Sequence, residues 1–314
     1  MGEATRAAGS PGSPFVVDAH AHVAAVEAQD IVERYMPDEW HGGSHLRLLE
    51  LMDQTGVDIA VLHNSRPWLN PYLARVNREH PGRFLPLLSL FEGTAHTPKD
   101  LDALRRAVHE EGFRGLYYDP WPQSLPAFDR FHEPEFAPLW RTLAELDVPL
   151  HMVAYGADAP QSRTSRGNWE ILWPGLRLVL DREPSLRVCS VHGLYPGARR
   201  PARVLTDGGQ VNIPDEVVAL VRDHEVYMEV LAGYGAGAFG PNDEVLRAMY
   251  DTFGPERLIW GSEFVKASQL PVERRDSLEQ YRFQRTYLEV HHPYMTAEDL
   301  ARIHGENAAR LWRL

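Results

Sequence analysis

Residues 15–22 read Phe15-Val16-Val17-Asp18-Ala19-His20-Ala21-His22, an apolar run that ends in two histidines one residue apart. Side chains alternate along a strand, so His20 and His22 leave it on one side. Which side depends on the rest of the chain. Further apolar runs follow at 57–62, 84–90, 113–118, 148–153, 186–191, 226–231 and 257–260. Most are β-branched or aromatic with little polar alternation, the pattern of parallel strands buried on both faces under helices. Helix-forming sequence lies between them. The stretch 46–56 stops at a glycine, 97–112 opens with Thr97 as cap and Pro98 as first helical residue, and 134–146, 242–253 and 296–313 behave alike. Thr296 and Asp299 have the spacing of a capping box. Eight strands, each followed by a helix, predict a single (β/α)8 TIM-type barrel rather than an open doubly wound sheet. In such a barrel the side shared by His20 and His22 is the interior, and the strand's end is the catalytic face.

The composition narrows the classes of function. The chain has 314 residues, 44% hydrophobic and 24% charged, which excludes wholesale disorder and leaves ample material for a core. Its 32 Lys+Arg against 44 Asp+Glu give a net charge of −12, which argues against nucleic acid as a partner. Cys189 alone excludes an intrachain disulfide and a cysteine-based zinc knuckle, and points to a reducing, cytoplasmic setting. No apolar run approaches membrane-span length, so no membrane partner is expected. Residues 1–14 lack the apolar core of a secretory signal and read as a disordered tail before a domain at 15–314. The 15 histidines are the unusual feature, histidine being the commonest metal ligand.

Other strand ends also carry chemistry. The pair His20 and His22 fits one metal ion, and equally two partly exposed strand-end histidines. His192 follows Val188–Val191 and precedes a glycine, as either a turn residue or a catalyst. Glu263 follows the eighth run, where a carboxylate can ligate a metal, accept a proton from bound water, or favour a helix N-terminus. His63 and Arg66 after the second strand and Arg199 after the sixth are candidate substrate contacts, an arginine being suited to gripping a carboxylate. Tyr118, Asp119 and Trp121 after the fourth strand, and Tyr155 after the fifth, are candidates to line an aromatic pocket. The stretches 123–131 and 157–168 read as loops at the mouth. Gly235 to Gly240 match G-x-G-x-x-G but follow the seventh strand, so they read as a turn rather than a dinucleotide site.

Together these positions resemble the amidohydrolase superfamily, in the amidohydrolase-related branch that includes aminocarboxymuconate semialdehyde decarboxylase. The resemblance is carried by DAHAH at 18–22, GFRGLYYDP at 112–120, VPLHMVAYG at 148–156, VHGLYPGA at 191–198, FGPERLIWGSEF at 253–264 and GENAARLWRL at 305–314. It implies one divalent metal, zinc first and manganese second, held by the strand-one pair, a strand-five histidine and a strand-eight carboxylate. By carry-over His20, His22, His151 and Glu263 are the ligands, and His192 is the catalyst beside them. Two positions depart from the pattern. The strand-eight aspartate is Glu263, and the strand-five histidine falls at Val153, with His151 two residues nearer the strand's start. A shifted register or a bulge in that strand would bring His151 to the metal. Strand four offers Leu116, Tyr117 and Tyr118 where binuclear relatives carry a lysine, so a single metal is expected.

Three functions follow. The first is a metal-dependent hydrolase of a small organic acid, lactone, amide or ester, with Glu263 accepting the proton of bound water and His192 polarising the substrate. The second is a non-oxidative metal-dependent decarboxylase of an aromatic or dienoic acid. The third is a metal-free acid/base enzyme or binder on the same barrel, prompted by the two departures. Relatives pair, which leaves room for a homodimer.

Overall fold

The computed structural model describes residues 14–23, 45–63, 67–119, 130–153, 168–194, 206–207, 210–231, 243–264 and 277–314. Each of the eight apolar runs contains or adjoins one barrel strand: β1 Val17–Ala21, β2 Ile59–Leu62, β3 Phe84–Pro86 continued by Leu88–Ser89, β4 Leu116–Tyr118, β5 Leu150–Val153, β6 Val188–Val191, β7 Val226–Val230 and β8 Leu258–Trp260. Helices follow them in turn: α1 His45–Thr55, α2 Asn70–Glu79, α3 Pro98–Glu110, α4 Ala137–Leu146, α5 Asn168–Arg182, α6 Asp215–Asp223, α7 Asp243–Phe253 and α8 Leu278–His291. A short antiparallel hairpin, Thr206–Asp207 with Gln210–Val211, precedes α6. Among the described residues no helix is long and apolar enough to cross a membrane.

All neighbouring barrel strands pair in parallel, in two ladders that meet at two seams. At Leu87 the third strand changes partner: Leu87 N donates to Leu62 O at 2.8 Å, and Leu88 N donates to Gly115 O at 2.9 Å. At the other seam Ala21 bridges Phe264 in parallel, and His22 N donates to Phe264 O. The Asp18 carboxylate ties this seam further, accepting from Ser262 N at 2.8 Å, Ser262 Oγ at 2.6 Å and the Tyr281 hydroxyl of α8 at 2.9 Å. Asp18 is fully buried; burial pushes its carboxyl up, and the Ser262 and Tyr281 donors pull it back. The eight strands thus close into the expected barrel.

The interior is lined by Val17, Ile59, Val61, Leu85, Tyr117, Cys189, Tyr227 and Ile259, all buried. At the end where the strands begin it is stoppered by the C-terminal helix. That helix runs as α9 Ala297–Ala301, a π-helical turn Arg302–Glu306 and α10 Asn307–Trp312. The capping box is present, with Thr296 and Asp299 bonded reciprocally, whereas Thr97 caps α3 without a side-chain bond. Leu311 and Trp312 enter the interior core, and buried Arg187 donates to Leu311 O at 2.9 Å. Gly305 lies so near Phe15 that a Cβ there would collide with the Phe15 carbonyl oxygen, which seats the C-terminal helix directly on the start of β1.

The tail 1–13, Arg66, Trp121, Tyr155, Arg199 and the glycine stretch 235–240 lie outside the described residues, as do most of the two mouth stretches.

Candidate active site

Strand β1 does not alternate strictly. Val17 and Asp18 pair with Ile59 and Ala60, but Ala21 pairs with Leu62, so three steps on β1 oppose two on β2. This bulge lets Val17 and Ala19 join the interior core and still turns His20 and His22 inward, each at most 3% exposed. Gly261, just past the end of β8, makes room: a Cβ there would stand 2.6 Å from His20 Cβ and 3.1 Å from Glu229 Oε1.

Glu229, on β7, is the centre of the site and was not anticipated from the sequence. It is fully buried, and both its oxygens lie 2.9 Å from His20 Nδ1. The backbone N–H of His192 donates to Glu229 Oε2 at 2.7 Å, and His151 Nε2 lies 3.6 Å from Oε1. Burial opposes the charge on Glu229, but His20 and His151 outweigh it and hold the group as a carboxylate. The available signal was the one acid inside the apolar run Val226-Tyr227-Met228-Glu229-Val230-Leu231.

The hydrogen bonds assign the tautomers of the strand-one pair. His22 Nδ1 meets the His63 carbonyl oxygen at 3.1 Å, which can only accept, so Nδ1 carries the hydrogen. His20 Nδ1 donates to the Glu229 carboxylate in the same way. In the neutral rings both Nε2 atoms then present lone pairs, and these two atoms lie 2.9 Å apart. At that distance the two nitrogens share either a proton, as an N–H···N hydrogen bond, or a metal ion. Two nitrogens bound to one ion at 2.0–2.1 Å in tetrahedral geometry lie about 3.3 Å apart, so the pair fits a metal with a small adjustment. A buried histidine that donates its other nitrogen to a carboxylate or carbonyl is also how metal ligands are usually oriented.

His192 and Glu263 complete the mouth. Both are buried, with His192 Nε2 3.5 Å from Glu263 Oε1, and the His192 ring stacks on His20 at 5.2 Å. Both have left-handed backbones, φ 62° and 52°, uncommon away from glycine and a recurring sign of a functional site. One ligand atom each from His20, His192 and Glu263 lies within 4.8 Å of the others, and the same holds for His20, His22 and His63 and for His20, His151 and Glu229.

The remaining predicted residues divide. His63 is fully buried between the rings of His20 at 4.1 Å and Tyr117 at 4.3 Å. His151 keeps an unshifted register, opposite Tyr117 and Cys189, so no slip or bulge of β5 lifts it to the mouth. It stands one layer down, 5.9 Å from the Trp312 ring, and groups with His20 and Glu229 rather than with His22 or Glu263. Burial lowers its basicity, with Glu229 opposing. Tyr118 is a correction: it points outward and packs on Trp140 at 5.2 Å, because Tyr117 takes the inward position on β4. Asp119, just past the end of β4, is buried.

Solved structures share this fold over nearly the whole chain. A dihydroxybenzoic acid decarboxylase from Polaromonas sp. JS666, with manganese and 2-nitroresorcinol bound, matches with a TM-score of 0.64 at 15% identity, covering 96% of this chain and 98% of its own. A 5-carboxyvanillate decarboxylase from Novosphingobium aromaticivorans, with manganese and 4-hydroxy-3-methoxy-5-nitrobenzoic acid, gives 0.62 at 15% identity, covering 100% of both chains. A probable 2-pyrone-4,6-dicarboxylic acid hydrolase from Acinetobacter baumannii, with citric acid bound, gives 0.66 at 16% identity over 95% of this chain and 99% of its own. No curated protein matches the chain in sequence. Residues 96–314, which hold β4 to β8 with His151, His192, Glu229 and Glu263, match the amidohydrolase family Amidohydro_2, and the chain belongs to that family.

Proposed function

We propose that the chain is a metal-dependent enzyme that removes carbon dioxide from an aromatic carboxylic acid without oxidation. The observation that supports the metal is the His20–His22 pair, whose Nε2 atoms converge at 2.9 Å while both Nδ1 atoms are engaged elsewhere. His20 and His22 would hold the ion, with the Glu263 carboxylate, which groups with His20 and His192, beside it. When bound, it supplies a positive charge against which a substrate carboxylate and neighbouring hydroxyl can lie. Manganese is the first ion to test, because it occupies the decarboxylases of similar fold.

The chain's own residues supply the rest. Glu229 fixes the orientation of His20 and, through its bond to the His192 backbone, the position of His192. His192 and Glu263 together hold a proton at the mouth, deliverable to the ring carbon that bears the carboxylate. The carbon–carbon bond then breaks, carbon dioxide leaves, and its electron pair restores the aromatic ring. Trp68 and Phe91, just past the ends of β2 and β3, are 58% and 53% exposed and offer flat apolar surface to such a ring. The hydrolytic alternative uses the same Glu263–His192 pair, with Glu263 taking a proton from water, and the probable pyrone hydrolase of similar fold supports it.

Products separate the two. With manganese supplied, hydroxybenzoates of the kind named above should lose carbon dioxide, and in heavy water the product should carry one deuterium at the vacated ring position. Opening of pyrone lactones with no carbon dioxide released from any aromatic acid would overturn the decarboxylase reading in favour of hydrolysis. Full activity after exhaustive chelation would overturn the metal.

A further inference from the structure

We propose that His63, on the end of β2, is a third nitrogen ligand of the metal beside His20 and His22. The inference rests on the metal-dependent reading above and deepens it. His63 has 0% exposure, and among the described residues neither ring nitrogen has a hydrogen-bond partner. A buried polar atom left without a partner costs about 1–3 kcal/mol, so two such atoms in one ring need a reason. The ring sits against the two histidines that would hold the ion, with centroids 4.1 Å from His20 and 4.5 Å from His22. One nitrogen of each of the three lies within 4.8 Å of the others. At this layer β5 contributes no nitrogen, since Val153 pairs with Val191 and His151 stands a step below.

His63 also serves the site through its main chain. Its carbonyl accepts the His22 Nδ1 hydrogen, which turns His22 Nε2 toward His20. The competing account is a core histidine stacked on Tyr117 at 4.3 Å and 17°. Because any residue at this position keeps the carbonyl, side-chain substitutions test the ring alone.

The test uses the full chain, stripped with chelator and titrated with cobalt(II), whose absorption reports its ligands. His63→Phe keeps the stacking and the apolar volume but has no nitrogen. Its cobalt affinity should fall at least about 100-fold, because losing only a hydrogen-bond partner of a ligand already costs 10–100-fold. His63→Cys provides a second route: a thiolate bound to cobalt adds a charge-transfer band in the near ultraviolet that the wild type, with its buried Cys189, lacks. Wild-type affinity and spectrum in His63→Phe, together with no new band in His63→Cys, would overturn the role of His63 and leave the metal reading standing. A wild-type chain that takes up no ion would overturn both.

Discussion

At the scale of single residues, two groups hold backbones that their chemistry does not favour. His192 and Glu263 both sit at positive φ, and each such residue costs about 1–3 kcal/mol unless its surroundings impose it. Histidine and aspartate adopt this conformation more readily than glutamate. Glu263→Asp should therefore keep the carboxylate, ease the backbone, and leave the melting temperature equal or higher. Glu263→Gln keeps the length but loses the proton-holding power, and kcat under saturating metal should drop about 10²–10⁴-fold. An unchanged kcat in the Gln variant would remove Glu263 from the chemistry. Glu229 shows the opposite economy: one carboxylate touches His20, the His192 backbone and the surroundings of His151, so its loss disturbs three neighbours at once.

Among the elements, the C-terminal helix carries an irregularity at a point of contact. Its π-helical turn holds His304, 2% exposed, edge-on to Trp260 at 5.3 Å, with Arg285 Nη1 3.4 Å from its Nε2. Burial first, and Arg285 second, hold the His304 ring well below its usual basicity. The folded chain thus leaves it neutral where the unfolded chain protonates it. Stability from this residue is complete above about pH 6.5 and falls below it, by up to about 1.4 kcal/mol per pH unit until the folded ring also protonates. His304→Leu should flatten the decline in melting temperature between about pH 7 and pH 5. Equal declines in both proteins would show that other groups govern acid stability.

Across the whole molecule the barrel has a histidine-lined end and a stoppered end, and the stopper reaches the histidines. Trp312 is 2% exposed and lies 5.9 Å from His151, the lowest ring of the site. Trp312→Ala should cost about 3–5 kcal/mol, read as a lower urea midpoint with an unchanged slope. A loss under 1 kcal/mol would mean that the helix merely covers the barrel. This architecture was largely legible from the sequence, because strands covered on both faces are long apolar runs that helix-forming sequence interrupts. The strand-one histidines, His192 and Glu263 were legible for the same reason, standing where apolar runs end. What the runs hide is parity. With no polar alternation, nothing in Leu116-Tyr117-Tyr118 says which tyrosine faces in, and the structure chooses Tyr117. Reading runs by their apolar members also passes over Glu229, the acid that organises the interior.

The bulge in β1 makes the site a question of phase. In a strictly alternating ladder, Val17, Ala19 and Ala21 would share the inward face, and both histidines would look out among the helices. The extra residue shifts the count by one, so a single strand delivers first its apolar members to the stoppered layers and then its imidazoles to the mouth. The histidines' presence is compositional; their use is set by an offset. Along this segment a change of length by one residue, which alters no side chain of the site, reassigns every side chain beyond it between core and coat. Substitutions at Ala19 or Ala21 test packing, whereas insertions and deletions there test whether the chain has an active site at all.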